Sequence, residues 1–450
     1  MAEGPSPQHV APVAPRGVAG TGSRLAWLDV LRGVAALAVV FDHLSYYVLQ
    51  AVRHIVYQWF NPGNYGVFVF FMISGYIVPA SLERKGSVRT FWVSRLFRLY
   101  PLYLLAVGLA LVLAMVHLGG LRGEASDPET SVLSQLLMMS NVLDGKNLPN
   151  VVWSLSYEMV FYLLLTALFV ARIHRRSSWY ALAFAVAAVA IGGFLPQEYF
   201  AHTLNASRLV ALAADTLVMA GLALAVVRRG MSRMVGAALA ALVTLTLLAF
   251  NGGWIWPWEA LSILALMFTG TVLYRAEQGQ YPWSRAVPVA VAVFAMAIAA
   301  GIWHSRAWGM STAAEGTWER TWFLSLALAG ATFAFGMAFR HLRWPRALTW
   351  LGLISYSLYL LHPLLVQVYY SVPLLDRHHP FWLQALLAAA FLAVIIGICS
   401  VTYLLVERPM QDLGRRVARW ADATFGPDHG PARAPVSEPV LARSARPATD

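Results

Sequence analysis

Stretches of about eighteen or more mostly apolar residues recur along this 450-residue chain, and that is the length a bilayer-spanning helix needs. With 59% hydrophobic residues, 12% charged residues and a mean hydropathy of +0.60, little polar surface is left to clothe a soluble domain. The expected fold is an all-α polytopic transmembrane bundle of about 10–12 spans. The best count is twelve, near residues 25–48, 65–82, 100–118, 151–171, 179–195, 208–227, 234–250, 257–274, 286–303, 322–340, 347–371 and 381–405.

Charge supplies the orientation. If the N-terminus is cytoplasmic, that side collects 26 Lys and Arg and the other side 7. Every even-numbered loop is then basic, so both termini are expected in the cytoplasm. Residues 1–23, rich in Pro, Gly and Ala, read as disordered. They lack a signal-peptide pattern, because the next apolar stretch is too long for an h-region and is interrupted by Asp29 and Arg32. Residues 24–410 form the membrane domain, with an outer loop at 119–150 that holds a short interfacial helix around Val132–Met139. Residues 411–450 are a basic tail, amphipathic through Trp420 and largely disordered beyond. The net charge of +11 is scattered between apolar spans, so the expected partners are membrane lipids and not nucleic acid. The single cysteine, Cys399, has no internal partner for a disulfide.

Against this background the polar residues inside the spans stand out. The first span carries Asp29, Arg32 and His43. A charge at bilayer depth costs about 2.5–3.5 kcal/mol on insertion scales and marks a functional site by default. At 100° per residue all three return to nearly one helix face. Asp42, beside His43, points about 100° away, as an interfacial residue or a neighbour that tunes the histidine. The segment 83–101 places Arg95 and Arg98 three apart, with Pro101 after them. This spacing suits bidentate phosphate binding, or equally a headgroup anchor at the start of the third span.

The fourth span opens with Ser154, Tyr157, Glu158 and Tyr162; Ser154, Glu158 and Tyr162 share a face. Glu158 could pair with an arginine or orient a histidine, or simply tie two helices. The eleventh span carries Ser355, Tyr359 and His362 at i, i+4, i+7, followed by Pro363. They could line a polar cavity, or make interhelical hydrogen bonds with His362 marking a proline break. Asp215 and Glu259 are isolated and read as structural. There is no phosphate-binding P-loop, no G-x-S-x-G elbow and no metal-ligand spacing of His, Cys and carboxylates, so no metal is expected.

Taken together, these islands resemble the acyltransferase family 3 integral membrane enzymes. The likeness is carried by Leu28-Asp29-Val30-Leu31-Arg32-Gly33 with His43 eleven residues beyond Arg32, and by Arg95, Arg98 and Pro101. It continues through Trp153 to Glu158, Ser355 to Pro363, and Glu407-Arg408-Pro409. It covers roughly residues 24–410, with the motifs in the family's order. The count of twelve spans exceeds the family's common ten, and no esterase-like domain follows the last span.

The resemblance implies transfer of an acyl group, acetyl foremost, from a coenzyme A thioester to a hydroxyl of a sugar or glycosylated acceptor. Surface polysaccharides, peptidoglycan and secreted antibiotics are all acceptors of this kind. It implies a bacterial plasma-membrane enzyme with acyl-CoA as co-substrate and no resident cofactor. Carried onto this chain, His43 is the catalytic histidine and Arg32 its intramembrane partner. Arg95 and Arg98 contact the coenzyme's phosphates, and Glu158 is a supporting polar residue. His43 acts either as a general base or as a nucleophile through an acyl-imidazole. The main alternative is a multi-spanning transporter or glycan flippase, which calls for inverted repeats and broken helices. A scaffold or sensor would leave the polar islands dispensable.

Overall fold

The structure, a computed structural model, describes residues 25–116, 128–143, 145, 147–200, 203–307, 317–371, 379–426 and 428. The expected disordered segment 1–23 and nearly all of the tail beyond 426 lie outside the described residues. What is described is helical. In chain order the helices are α1 (Ala26–Leu44), α2 (Gln50–Tyr57), α3 (Pro62–Lys85), α4 (Val88–Met115), α5 (Pro128–Leu136), α6 (Trp153–Val170), α7 (Ser177–Ala190) and α8 (Leu204–Val227). They continue with α9 (Gly230–Phe250), α10 (Pro257–Glu277), α11 (Trp283–Ala307), α12 (Thr317–Ala338), α13 (Arg346–Leu353), α14 (Ser355–Tyr370), α15 (Phe381–Thr402) and α16 (Arg408–Phe425).

All twelve expected regions contain helix. Among the described residues nine helices are long and apolar enough to cross a membrane, α15 running on into α16 as one of them. The pair α13 and α14 makes a tenth if counted as one span bent by 67°. Two expected spans stand apart from these. α1 carries Asp29, Arg32 and Asp42 within 19 residues, and α7 has only 14 residues, about 21 Å of helix against a hydrocarbon core of about 30 Å.

Local chemistry moves some boundaries. α3 begins where the Asn61 side chain accepts from the Asn64 backbone N–H, with Pro62 next. It ends at Gly86, whose φ of +63° is the left-handed geometry of a helix C-cap. Ser87 immediately caps the next helix by accepting from Thr90 N–H. α4 therefore starts at Val88, twelve residues before the expected third span, and Arg95 and Arg98 lie inside a helix and not at its edge. Pro101 and Pro363 sit within α4 and α14 without ending them, as packed membrane helices tolerate. The break in the eleventh span comes at Ile354, upstream of the expected proline break. At the other end, Tyr403–Glu407 is a π-helical turn joining α15 to α16.

The bundle has a buried inner set and an outer set. α10 and α6 are buried almost throughout, whereas α8, α9, α11 and α15 expose Leu209, Leu242, Val291 and Leu386, as lipid-facing helices do. α3 and α10 cross at a pair of glycines. A Cβ on Gly75 would lie 1.8 Å from the Met267 carbonyl oxygen, and one on Gly270 2.3 Å from that of Met72. Side chains there would separate the helix that carries Ser74 from the helix behind it.

At one end of α10 a fully buried Arg275 gathers three elements. Its Nε donates to Ser177 Oγ (2.9 Å), Nη1 to Gln280 Oε1 (2.6 Å) and Nη2 to the His174 carbonyl (3.1 Å). Nη2 also pairs with Glu83 at the end of α3. His174, in the α6–α7 connection, is held to a pKa of about 4 by burial and by the nearby Arg275 and Arg175 charges. The unfolded chain takes up that proton near its ordinary 6.5, so stability is full above this pH and is lost as pH falls toward 4.

Two outcomes are expected. Gly75→Ala should lower the thermal midpoint, overpacking of this kind costing about 1–3 kcal/mol. Gly108→Ala, with open space around its Cβ, should leave the midpoint unchanged or raised; equal effects would refute the crossing argument. His174→Gln should flatten the fall in thermal midpoint between pH 6.5 and 4, measured against the unmodified protein.

Candidate functional site

Helices α1, α3, α4, α6 and α14 enclose a cavity of about 90 Å³, measured where a water centre fits. Its polar lining comprises Arg32, Ser74, Arg95, Arg98, Ser154, Glu158, Tyr162, Ser355, Tyr356 and Tyr359. Phe70, Phe71 and Val67 of α3 supply part of the apolar wall. The sequence separations here exceed 300 residues, so only the bundle packing brings these groups together.

The cavity is cationic. Among the described lining residues Arg32, Arg95 and Arg98 face a single carboxylate, Glu158. Arg32 pairs with Asp29 at 3.5 Å, one turn back on α1 and just outside the lining. Arg98 and Arg95 repel its guanidinium, while Asp29 and Glu158 attract it. Arg95 is 6% exposed, and its Nε has no hydrogen-bond partner among the described residues. The guanidinium lies 5.4 Å and 5.2 Å from the ring centroids of Phe91 and Tyr162, at cation–π range. Glu158 accepts from Ser74 Oγ at 2.9 Å and from the Tyr162 hydroxyl, and its single negative charge is outnumbered by the three arginines. A pocket with surplus guanidinium donors suits an anionic ligand, because Arg presents paired N–H groups that match phosphate oxygens.

Ser154 and Tyr359 close one end of the cavity with a 2.6 Å hydrogen bond, and the Tyr359 hydroxyl also donates to the Val151 carbonyl at 2.9 Å. One turn further along α14 lies His362, which is fully buried, and against it the half-buried His43 of α1. Neither histidine lines the cavity. Their ring nitrogens settle their protons by elimination. His362 Nδ1 is 2.8 Å from the Leu358 carbonyl, and His43 Nδ1 is 3.0 Å from the Val39 carbonyl. A carbonyl only accepts, so both Nδ1 atoms carry hydrogen. His362 Nε2 is then a lone-pair acceptor, 3.1 Å from His43 Nδ1. In the neutral ring His43 Nε2 is then unprotonated and, among the described residues, without a hydrogen-bond partner, which is the tautomer a general base uses.

Asp42 turns away from this pair. It accepts from the Tyr57 hydroxyl, and its carbonyl accepts from Arg53 Nη1 at 2.9 Å. The Arg53 guanidinium is stacked 3.4 Å and 3.7 Å from the Tyr46 and Tyr57 ring centroids. The cluster pins the turn after α1 and with it the end of the helix that carries His43.

Of the residues singled out in the sequence, Arg32, Arg95, Arg98, Glu158, Ser154, Ser355 and Tyr359 share the cavity. Asp29 is attached to it through Arg32, and His43 and His362 form a separate pair. Tyr157 is elsewhere, fully buried and accepting from Asn141 Nδ2 at 2.8 Å. Three residues in or beside the cavity had no assigned role in the sequence, Tyr356 among them. Ser74 is a lone serine in an apolar run, with no periodicity to flag it. Glu407, in the π turn, is buried, accepts from the Ser357 hydroxyl and is attracted to Arg98. Its signal in the sequence was the Glu407-Arg408-Pro409 motif, quoted there without a role for the carboxylate. Among the described residues no group of three or more His, Cys, Asp or Glu side chains is placed to hold a metal.

Comparison with known proteins identifies the family. A family model described as an acyltransferase domain matches residues 25–404. The chain belongs to acyltransferase family 3. It is similar to the acyltransferase MdmB of Streptomyces mycarofaciens, 33% identical over 39% of this chain and 48% of that protein. It is 31% identical to the peptidoglycan O-acetyltransferase OatA of Listeria monocytogenes over 30% of this chain and 23% of that one. Nodulation protein 10 of Rhizobium leguminosarum is 28% identical over 38% and 51% of the two chains. Each of these matches spans about half or less of the relative's length. No solved structure matches.

For an acyltransferase the histidine pair has a kinetic consequence. His362→Phe removes one of the two acceptors that fix the His43 proton on Nδ1. Turnover is expected to fall by about tenfold or more, while the KM for the acyl donor stays within about twofold, since no donor-binding group is touched. A raised donor KM with unchanged kcat would contradict the positioning role.

Proposed function

We propose that this multi-pass membrane protein is an O-acyltransferase of a bacterial plasma membrane, with both termini in the cytoplasm. It moves an acyl group, acetyl foremost, from a coenzyme A thioester to a hydroxyl of a carbohydrate or glycosylated acceptor. The observation that carries this reading is the division of labour between two sites. An arginine-rich cavity lies at one depth, and an imidazole with a free lone pair lies beyond its far wall. Arg32 and His43 are eleven residues apart on α1, about 16 Å. About thirteen bonds separate the innermost phosphorus of coenzyme A from its sulfur, which at ~1.2 Å per bond in an extended chain also gives about 16 Å. Phosphates on Arg32, Arg95 and Arg98 therefore put the thioester at the depth of His43, past the Tyr359 ring.

In this mechanism His43 Nε2 takes the proton of the acceptor hydroxyl as its oxygen attacks the thioester carbonyl. The tetrahedral intermediate collapses, the C–S bond breaks, and the proton on Nε2 passes to the departing sulfur. The products are the ester and free coenzyme A, and His43 returns neutral. The names of the relatives, an O-acetyltransferase of peptidoglycan among them, support a glycan acceptor. One observation favours the transporter reading, the 67° bend between α13 and α14, since transporters use broken helices at their sites. That bend adjoins a catalytic-type histidine arrangement, which transport does not require.

Purified protein given radiolabelled acetyl-CoA and a cell-envelope glycan fraction should transfer label to the acceptor. His43→Ala should lower the rate by at least about a hundredfold. Label transfer unchanged in that variant would remove His43 from the mechanism, and no transfer with any glycan acceptor would favour the transporter.

A further inference from the structure

At the end of the bundle where α1 stops just past His43, the start of α6 carries an aromatic surface outside the cavity lining. The half-buried Trp153 meets the ring of Trp254 edge-to-face at 5.2 Å, and Trp254 is 58% exposed. Trp153 is backed by the fully buried Tyr157, ring to ring at 6.0 Å. The exposed Asn150 stands three residues before Trp153, in a 3₁₀ turn (Asn150–Val152) where side chains at i and i+3 eclipse. An amide that both donates and accepts thus shares a side of the chain with the indole. The turn before Trp254 is fixed. Asn141 Nδ2 donates to the Gly252 carbonyl at 2.8 Å, and Asn251 Nδ2 to the Val142 carbonyl at 3.0 Å. Gly253, at φ +61°, passes so near Asn141 that a Cβ there would lie 2.4 Å from its carbonyl oxygen.

Two roles compete for an exposed tryptophan in a membrane protein. An aromatic belt anchors the bundle at the bilayer surface. Its members sit on lipid-facing helices, as the exposed Trp382 of α15 and Trp303 of α11 do. α6 and α10, the helices next to Trp153 and Trp254 in the chain, are instead buried almost throughout. A helix enclosed on all sides meets no lipid, so an indole resting on the end of α6 opens to solution. The surface also adjoins the histidine pair. The residue after Trp153 is Ser154, bonded to the Tyr359 hydroxyl at the cavity's far wall. The Tyr359 ring is 6.4 Å from that of His362, which is 5.0 Å from that of His43. Neither the aromatic pair nor the imidazoles line the arginines' cavity.

We infer that Trp153, Trp254 and Asn150 form a sugar-binding surface, on which the acceptor glycan rests a pyranose ring while a hydroxyl further along the glycan reaches His43. The inference rests on the O-acyltransferase reading above and names where its acceptor binds. The ligand is an uncharged stretch of carbohydrate. A pyranose presents a patch of weakly positive C–H groups that stacks on the negative face of an indole, and its hydroxyls hydrogen-bond to a side-chain amide. Tryptophans already held in place lose little freedom when the sugar arrives.

The test uses the full chain in nanodiscs and has two readouts, label transfer from radiolabelled acetyl-CoA to a cell-envelope glycan fraction, and retention of that fraction without acetyl-CoA. Trp254→Ala should raise the KM for the glycan about five- to tenfold, with the KM for acetyl-CoA and kcat each within about twofold. Trp254→Phe, which keeps an aromatic face, should recover most of the loss, and Trp382→Ala, in the belt, should change neither KM. An unchanged glycan KM in Trp254→Ala overturns the inference. So does an equal rise in both KM values, or an equal effect of Trp382→Ala. Glycan should be retained by the unmodified protein and released by Trp254→Ala; retention by both, or by neither, overturns the surface. Retention needs no turnover, so Trp254-dependent retention without acyl transfer would refute the catalytic reading and leave the surface in place.

Discussion

The cost of holding three guanidinium groups inside a membrane bundle, opposite one lining carboxylate, governs the rest of this structure. Each such charge is expensive at bilayer depth, and mutual repulsion adds to the expense. The fold meets it with aromatic faces under Arg95, with the Asp29 pair behind Arg32 and with Glu158 between them. None of these neutralises the cluster. Arginine suits the task better than lysine would. Its planar fork offers five donors and is more weakly hydrated, so desolvation is less severe and an incoming phosphate can be gripped by two N–H groups at once. A site left short of anions in its resting state gains binding energy when one arrives.

The same demand explains the packing around the cavity. α1 lies so close to α13 that a Cβ on Gly352 would fall 1.9 Å from the Asp29 carbonyl oxygen. α3 is drawn against α10 at Gly75 in a similar way. Close backbone contact at both crossings holds Arg32 and Ser74 on opposite walls of a narrow space. Arg275 plays a comparable structural part in the last turn of α10, where a buried cation is satisfied entirely by protein groups. The contrast is instructive: Arg275 has its partners, and Arg95 has a buried Nε without one.

Much of this was legible in the sequence, for physical reasons that differ from residue to residue. Helical spans announce themselves because a bilayer requires long apolar runs, and all twelve expected regions hold helix. Arg32, Arg95, Arg98 and Glu158 were conspicuous because charge is rare in such runs. Helix periodicity placed Ser154 and Glu158 correctly on one wall, but it could not tell that Tyr157, one residue earlier, packs against Asn141 instead. The start of α4 was missed because Gly86 and Ser87 turn the chain in two residues, a capping signal hidden among basic residues that read as a loop. The prolines misled in the opposite direction. Pro363 looked like a break, yet the bend falls at Ile354, where no single residue type demands it. The pairing of His43 with His362 joins positions 319 apart, and no local pattern reports that.

Depth along α1 matters chemically as well as sterically. Suppose Arg32, Arg95 and Arg98 stood about 4 Å from His43. At an effective dielectric of about 20, each would then oppose protonation of the imidazole by about 4 kcal/mol. The histidine would be useless as a base. Arg32 stands about 16 Å away along the helix, where its charge contributes only about 1 kcal/mol. The two carbonyls that fix the Nδ1 protons complete this logic. With Nδ1 turned to the Val39 carbonyl, the other ring nitrogen of His43 stays open to a ligand, beside His362 and one helical turn beyond Tyr359. What looked in the sequence like one polar stripe is therefore two electrostatic environments on one helix. One is rich in positive charge and suited to phosphate, and the other holds the imidazole pair about 16 Å further along the helix, where the Arg32 charge is felt much less.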